Sequence, residues 1–312
     1  MRRSSSILAT ALLFASALAS GCSPSERGSW WYRHPGAMPP DAYGIEQVFL
    51  GTGALTPTGV ADAALACGVK RMYGSYGPMT GTPSQAQVAQ LNSDLHTRGM
   101  TSQYLFSDST YLTNPAALVS DVTSRVVNFD AAHTNLAEHF DAVHLDVEPV
   151  QYPECKTATL DPPNCYARVE DLLSLVTSVR QLLAGSDPAV KLFVDIHDWI
   201  DLTDLTQGAR VAWPAAPTPE ASRDAWYGKL DAFVDGVTVF AYDHTNVADA
   251  YAAASYEVTH LTHEVRVGIN LDPASSFPDV PSLLFGALLL ESSYHVPVDL
   301  QSVNDVLAAG GC

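Results

Sequence analysis

The sequence predicts a single-domain α/β protein, a (β/α)8 TIM barrel that occupies residues 42–312. Short runs of β-branched and aromatic residues alternate with longer Ala/Leu/Val patterns of helical period, and this alternation is typical of a parallel sheet. The strand pattern occurs eight times, and no linker-like segment divides the chain after residue 41. Eight strand–helix repeats in one domain favour closure of the sheet into a barrel over an open, doubly wound sheet.

The predicted strands share a short length and end in small or polar residues. In chain order they are Ile45–Leu50, Val69–Tyr73, Thr101–Phe106, Ala142–Val147, Lys191–Ile196, Gly236–Tyr242, Val265–Leu271 and Leu284–Leu290. Helices are predicted between the earlier strands at Pro57–Cys67, Ser84–Arg98, Pro115–His139 and Tyr166–Leu183, with Gly68, Gly99 and Gly185 as C-terminal stops.

Composition restricts the classes of partner and cofactor. Hydrophobic residues make up 47% of the chain and charged residues 16%, which supplies a sizeable core and excludes a disordered chain. The formal net charge of −18 repels phosphate backbones, so nucleic acid is not an expected partner. The segment Phe49–Ala54 lacks the third glycine and the downstream acid of a dinucleotide-binding loop. We therefore expect no cofactor, and a monomeric protein.

The first 22 residues have the pattern of an export signal. Arg2 and Arg3 precede an apolar stretch at 7–18, and Ala19-Ser20-Gly21-Cys22 follows it. These four residues resemble the lipobox of bacterial lipoproteins, although Ala19 stands where that family usually has Leu. The resemblance implies acylation of Cys22 and a lipid anchor in the membrane. The expected location is then the cell surface or periplasm, on the outer membrane in a Gram-negative cell, and the alternative is an ordinary cleaved secretory signal.

The polar, Pro-rich segment 23–41 is predicted to be a tether between Cys22 and the barrel. Four other cysteines remain, an even number that suits an oxidising compartment. Cys155 and Cys165 bracket a Pro-rich loop and could staple it, which leaves Cys67 to reach Cys312. Because no C-x-x-C spacing occurs, a zinc site is not expected.

The segment Phe140–Pro149 is the most informative for function. Side chains alternate along a strand, so His144, Asp146 and Glu148 face one way and the apolar residues between them face the other. Burying ionisable groups in a row is costly unless they are paired or near solvent. Pro149 ends the strand, which places Glu148 at the carboxyl end of the barrel, where barrel enzymes hold their active sites.

Two motifs resemble glycoside hydrolase family 18, the chitinase-like barrels. Asp141-x-x-His144-x-Asp146-x-Glu148 is similar to the family's D-x-x-D-x-D-x-E motif, and Val239–Asp243 is similar to its M-x-Y-D element. The resemblance implies that Glu148 donates a proton to the glycosidic oxygen. It also implies that Asp146 and Tyr242 position a substrate acetamido group that acts as internal nucleophile. His144 departs from the family pattern, which has aspartate there.

Further substrate-binding candidates are polar or aromatic residues expected at the same end of the barrel. Aromatic faces stack on sugars, and carboxylates and imidazoles hydrogen-bond hydroxyl groups. These candidates are His144, Asp195, His197, Trp199, Tyr104, Asp243 and Glu291.

Three functions agree with these residues. The first is a glycosidase that acts on an extracellular polysaccharide or oligosaccharide with Glu148 as general acid. The second is a catalytically silent barrel that binds carbohydrate. The third is a metal-dependent hydrolase that uses imidazoles and carboxylates of the fourth, fifth and sixth strands, a mixture suited to Zn, Mn or Fe.

Overall fold

The computed structural model describes residues 26–32 and 42–312, so the predicted signal at 1–22, including Cys22, lies outside the described residues. Eight parallel strands close in sequential order into a barrel, which confirms the predicted fold class. The strands are β1 (Arg27–Trp31), β2 (Val69–Gly74), β3 (Thr101–Phe106), β4 (Ala142–Leu145), β5 (Lys191–His197), β6 (Gly236–Phe240), β7 (Glu264–Asn270) and β8 (Val298–Gln301). Among residues 26–32 and 42–312, no helix combines the length and apolar character needed to cross a bilayer.

Helices surround the barrel and follow the strands in turn. They are α1 (Ile45–Leu50), α2 (Pro57–Ala66), α3 (Gln85–Thr97), α4 (Pro115–Val122), α5 (Asn128–Ala132), α6 (Pro162–Ser186), α7 (Pro219–Asp231), α8 (Val247–Ala253), α9 (Ser255–His260), α10 (Val280–Leu289) and α11 (Val303–Ala308). The apolar core lies mainly between this helical layer and the outer face of the barrel.

The predicted first strand is wrong, because Ile45–Leu50 forms helix α1. Its buried residues Ile45, Val48 and Phe49 have the three- and four-residue spacing of a helix. The true first strand, β1, lies inside the segment predicted to be a tether, so the barrel begins before residue 42. Aromatic residues favour strands, and every residue of β1 is buried.

The predicted eighth strand, Leu284–Leu290, is also wrong, because these residues belong to α10 and the π turn that follows it. Asp279 caps this helix, and its carboxyl oxygen accepts a hydrogen bond from the backbone N–H of Ser282 at 2.8 Å. The buried residues Leu283, Gly286 and Ala287 again have helical spacing. The strand that closes the barrel is β8, which pairs with both β7 and β1.

Helix boundaries were predicted with mixed success. Gly68 and Gly99 end helices at positive φ, as expected. Gly185 lies within α6, which continues to Ser186. The predicted helix Pro115–His139 ends at Ala132 and contains a π turn at Thr123–Val127.

Both predicted disulfides are present. Cys155–Cys165 staples the loop between β4 and α6, and Cys67–Cys312 joins the end of α2 to the segment after α11. The second bridge lies at the amino-terminal ends of the strands, where an Arg27 guanidinium N–H donates to the Cys67 carbonyl oxygen at 3.0 Å.

Candidate active site at the carboxyl end of the barrel

The lower half of the barrel interior, away from the carboxyl ends of the strands, contains a polar network around Asp299 in which the carboxyl oxygens have hydrogen-bond partners. One Asp299 oxygen accepts hydrogen bonds from the Tyr73 hydroxyl at 2.9 Å and Arg266 Nε at 2.7 Å, and the other accepts from Thr238 Oγ1 at 2.7 Å. Burial opposes ionisation of Asp299, but Arg266 and the Thr238 hydroxyl outweigh it and lower its pKa. This half of the barrel therefore has a structural role.

An aromatic layer separates this network from the barrel mouth. Trp30, Tyr73, Leu105 and Phe240 form a buried cluster inside the barrel, with the Trp30 and Tyr73 rings 5.5 Å apart in edge-to-face contact. Asp195 lies within this layer, and its side chain is fully buried.

Asp146 and Glu148 lie at the mouth, where β4 ends. Asp146 is 7% exposed and accepts a hydrogen bond from the Tyr32 hydroxyl at 3.3 Å. Glu148 is half-buried, and Gln151 Nε2 donates to its Oε2 at 2.5 Å. Pro149 starts a 3-10 turn, Pro149–Gln151, which turns the chain back and brings Gln151 to Glu148.

Burial disfavours ionisation of both carboxyls. Burial raises the pKa of Glu148, even though the hydrogen bond from Gln151 acts in the opposite direction. Burial raises the pKa of Asp146 well above its ordinary range, and a negative charge on Asp195 or Glu148 would raise it further. The arrangement therefore shifts both carboxyls toward the protonated form, which is the state that a general acid requires.

Four buried polar atoms on residues at the carboxyl ends of different strands lack a hydrogen-bond partner among the described residues. They are Asp146 Oδ1 after β4, His197 Nε2 on β5, the Tyr242 hydroxyl after β6 and Asn270 Oδ1 on β7. The Tyr242 ring stacks on Phe240, with ring centroids 4.5 Å apart. Buried polar groups normally have partners, so these four form a set that a polar ligand could satisfy.

Several predicted substrate contacts lie away from the mouth. The Trp199 ring is 5% exposed, because it stacks on His197 and is covered by the Arg210 guanidinium. Tyr104 is buried outside the barrel against Phe140, since residues of β3 alternate and its neighbours point inward. Neither ring offers a sugar a free face in this structure.

Glu291 was expected near the rim of an eighth strand, and this placement is also wrong. It forms a bidentate ion pair with Arg27 at the opposite end of the barrel, with nitrogen–oxygen distances of 2.8 and 2.9 Å. His144 and Asp195 are sealed beneath the mouth, with side chains 1% and 0% exposed. Asp243 is exposed at the rim. Of the three ionisable residues predicted to converge from β4, only Asp146 and Glu148 reach the mouth.

Sequence reasoning missed Trp30 and Tyr32. Trp30 lies in β1 and Tyr32 directly follows it, and β1 was not recognised as a strand. The signal was the Trp30-Trp31-Tyr32 sequence, in which alternation would have directed Trp30 and Tyr32 to one face.

The part of the chain that the structure describes contains no group of metal ligands. No three histidine, cysteine or acidic side chains there come together as possible metal ligands. The His144 ring is hydrogen-bonded to Gln103 and Asp195, and His244 Nε2 lies 3.2 Å from an Asp198 carboxyl oxygen.

Comparisons with known proteins support the fold. No known family profile matches the chain, and no curated protein sequence matches it. A β-glucosidase from Thermotoga maritima in complex with galacto-hydroximolactam is 11% identical, with a TM-score of 0.50 over 90% of this chain and 88% of that chain. A family 1 β-glucosidase from Thermotoga maritima in complex with isofagomine lactam is 11% identical, with a TM-score of 0.50 over 89% and 88%. These similarities show that the chain has a TIM-barrel fold also found in glycosidases, and no more than the fold.

Proposed function

We propose that this protein is a glycoside hydrolase that acts on an extracellular polysaccharide or oligosaccharide, with Glu148 as the general acid. The observation that carries the proposal is the position of Glu148, half-buried at the carboxyl end of β4 beside the buried carboxyl of Asp146. Burial raises the pKa of Glu148, which favours the protonated form that would donate to the leaving oxygen of a sugar.

Asp146 and Tyr242 are proposed to hold the sugar next to Glu148. Each has a buried oxygen without a partner among residues 26–32 and 42–312, and each comes from the strand position at which family 18 barrels carry the equivalent residue. In the substrate-assisted mechanism that this resemblance implies, the two side chains would orient an acetamido group toward the anomeric carbon. The distance rule that separates inverting from retaining two-carboxylate enzymes does not apply to such a mechanism.

The replacement Glu148→Gln tests the general acid, because the amide keeps the shape of the side chain and cannot donate the same proton. On a panel of glycans we expect kcat/KM to fall by about 10²–10⁴-fold, the usual contribution of general acid catalysis, with substrate binding retained. Glu26→Gln is the matched control, since Glu26 is 66% exposed at the opposite end of the barrel. Turnover by Glu148→Gln equal to that of the wild type would refute the assignment.

One contact favours the second candidate, a barrel that binds carbohydrate without cleaving it. The Gln151 amide donates to Glu148 Oε2, and a donor at this oxygen stabilises the carboxylate form. A binding protein would show sugar affinity without hydrolysis, and Glu148→Gln would leave that affinity unchanged. The same glycan panel therefore separates the two functions.

We also propose that the chain is exported and acylated at Cys22. In cells fed a radioactive fatty acid, the wild-type protein should carry the label and fractionate with membranes. Cys22→Ser removes the sulfur that would be acylated, so we expect it to be unlabelled. Label retained by Cys22→Ser would contradict acylation, and an unlabelled but exported wild-type protein would indicate an ordinary secretory signal.

A further inference from the structure

A row of hydrogen bonds crosses the barrel directly beneath the mouth. Gln103 Oε1 lies 3.0 Å from His144 Nδ1, and His144 Nε2 lies 2.6 Å from Asp195 Oδ1. Trp30 Nε1 donates to the other oxygen, Asp195 Oδ2, at 3.0 Å. Each of the four residues is no more than 3% exposed, so solvent does not compete for these contacts.

The donors and acceptors of this row fit one arrangement of protons. The indole N–H of Trp30 can only donate, so Asp195 Oδ2 accepts. Gln103 presents its amide oxygen to His144, which places the single N–H of a neutral imidazole on Nδ1. His144 Nε2 is then an acceptor, and the proton in the 2.6 Å contact belongs to Asp195 Oδ1.

The surroundings favour a neutral pair over an ion pair. The His144 ring packs against Tyr73 and Phe193, with ring centroids 4.2 and 6.3 Å away. Burial lowers the pKa of His144 to about 3 and raises that of Asp195 well above its ordinary range. Separating charge at a site without water costs more free energy than the neutral hydrogen bond.

We propose that Asp195 is a positioning residue that neutral His144, in its Nδ1–H tautomer, holds protonated and uncharged beneath Asp146 and Glu148. This role rests on the proposed glycosidase function, whereas the protonation states rest on the hydrogen-bond geometry and on burial. An ionised Asp195 would add a negative charge below the two carboxyls that the mechanism uses, since both are close enough to interact with it electrostatically. The neutral form donates to His144 Nε2 and accepts from Trp30 Nε1 without that charge.

The substitution Asp195→Asn tests the protonation state. An asparagine with its NH2 group toward His144 Nε2 and its oxygen toward Trp30 Nε1 reproduces both hydrogen bonds of a protonated aspartate. If His144 carried its proton on Nε2 instead, asparagine would place two donors against each other at one of these contacts. We therefore expect Asp195→Asn to keep its thermal stability and kcat/KM within about threefold of wild type, and Asp195→Ala to lose about tenfold or more in kcat/KM together with stability.

Nitrogen-15 NMR of histidine-labelled protein provides a readout that is independent of activity. We expect His144 Nδ1 to have the chemical shift of a protonated ring nitrogen and Nε2 that of an unprotonated one, and we expect this pattern to persist in Asp195→Asn. A protonated Nε2, or an asparagine variant as unstable as the alanine variant, would overturn the proposed protonation.

A wild-type protein inactive on every glycan would contradict the glycosidase function while leaving these two measurements decisive. An active wild type with an inactive but stable Asp195→Asn would overturn the positioning role alone.

Discussion

At the residue scale, the site depends on how Glu148 keeps its proton. Burial raises its pKa, and the only opposing influence of note is the hydrogen bond from Gln151. A general acid acts only while protonated, so activity falls as the pH rises through its pKa. Because this pKa is raised, the alkaline limb of the activity profile should lie above the ordinary glutamate range of about 4.3.

This dependence gives a prediction for Gln151→Leu. The substitution removes the donor that stabilises the Glu148 carboxylate, so the alkaline limb of kcat/KM should shift to higher pH. Gln90→Leu changes the same residue type on the outer helix α3 and should leave the profile unchanged. A limb that stays in place in Gln151→Leu would show that another group sets it.

At the element scale, a glycine in β1 allows this strand to pack closely against the side chains inside the barrel. Gly28 lies against β8 and beside Tyr73, and its backbone N–H donates to Asp299 at 2.9 Å. A Cβ atom at this position would lie 1.8 Å from the Tyr73 hydroxyl oxygen and 2.2 Å from Asp299 Oδ1. Only glycine allows β1 to approach the buried network of the lower barrel.

We therefore expect Gly28→Ala to lower the free energy of unfolding by about 3 kcal/mol, since the added methyl group forces apart a closely packed interior. Gly228→Ala is the control, because Gly228 is exposed in helix α7 with open space around it. That substitution should raise stability by about 0.5–1 kcal/mol through helix propensity. Denaturant titration of both variants checks the pair, and a Gly28→Ala protein as stable as the wild type would contradict the packing argument.

The elements also explain what the sequence could and could not predict. The six strands from β2 to β7 alternate or form apolar runs between clear turns, so their positions were predictable, as was the position of Asp146 and Glu148 at the carboxyl end of β4. Helices α1 and α10 carry short apolar stretches, for which period alone does not separate a helix from a buried strand. The missed β1 is five residues long, and its isolation before a Pro-rich stretch concealed both the strand and the contribution of Tyr32 to the site.

At the scale of the whole molecule, the two disulfides constrain very different lengths of chain. Cys67 and Cys312 are 245 residues apart, whereas Cys155 and Cys165 are 10 apart. The entropy lost by the unfolded chain grows with the logarithm of the closed loop, which corresponds to about 5 and about 3 kcal/mol. The long bridge should therefore contribute more to stability.

Two paired double variants test this difference. Replacing Cys67 and Cys312 by serine should lower the unfolding free energy more than replacing Cys155 and Cys165, as measured by denaturant titration. Activity should show the reverse order, because Cys155 lies in the loop that follows Glu148 and Gln151. Equal effects of the two bridges on both stability and activity would count against this division of roles.

The Cys67–Cys312 bridge and Glu26 both lie where the barrel strands begin, at the end opposite Glu148. Glu26 comes four positions after Cys22, and a fully extended chain of four residues reaches about 14 Å. Acylation at Cys22, as we propose, would hold the base of the barrel close to the lipid headgroups. The barrel mouth, where we propose the active site, would then point toward the medium and could meet a polymer too large to approach the bilayer.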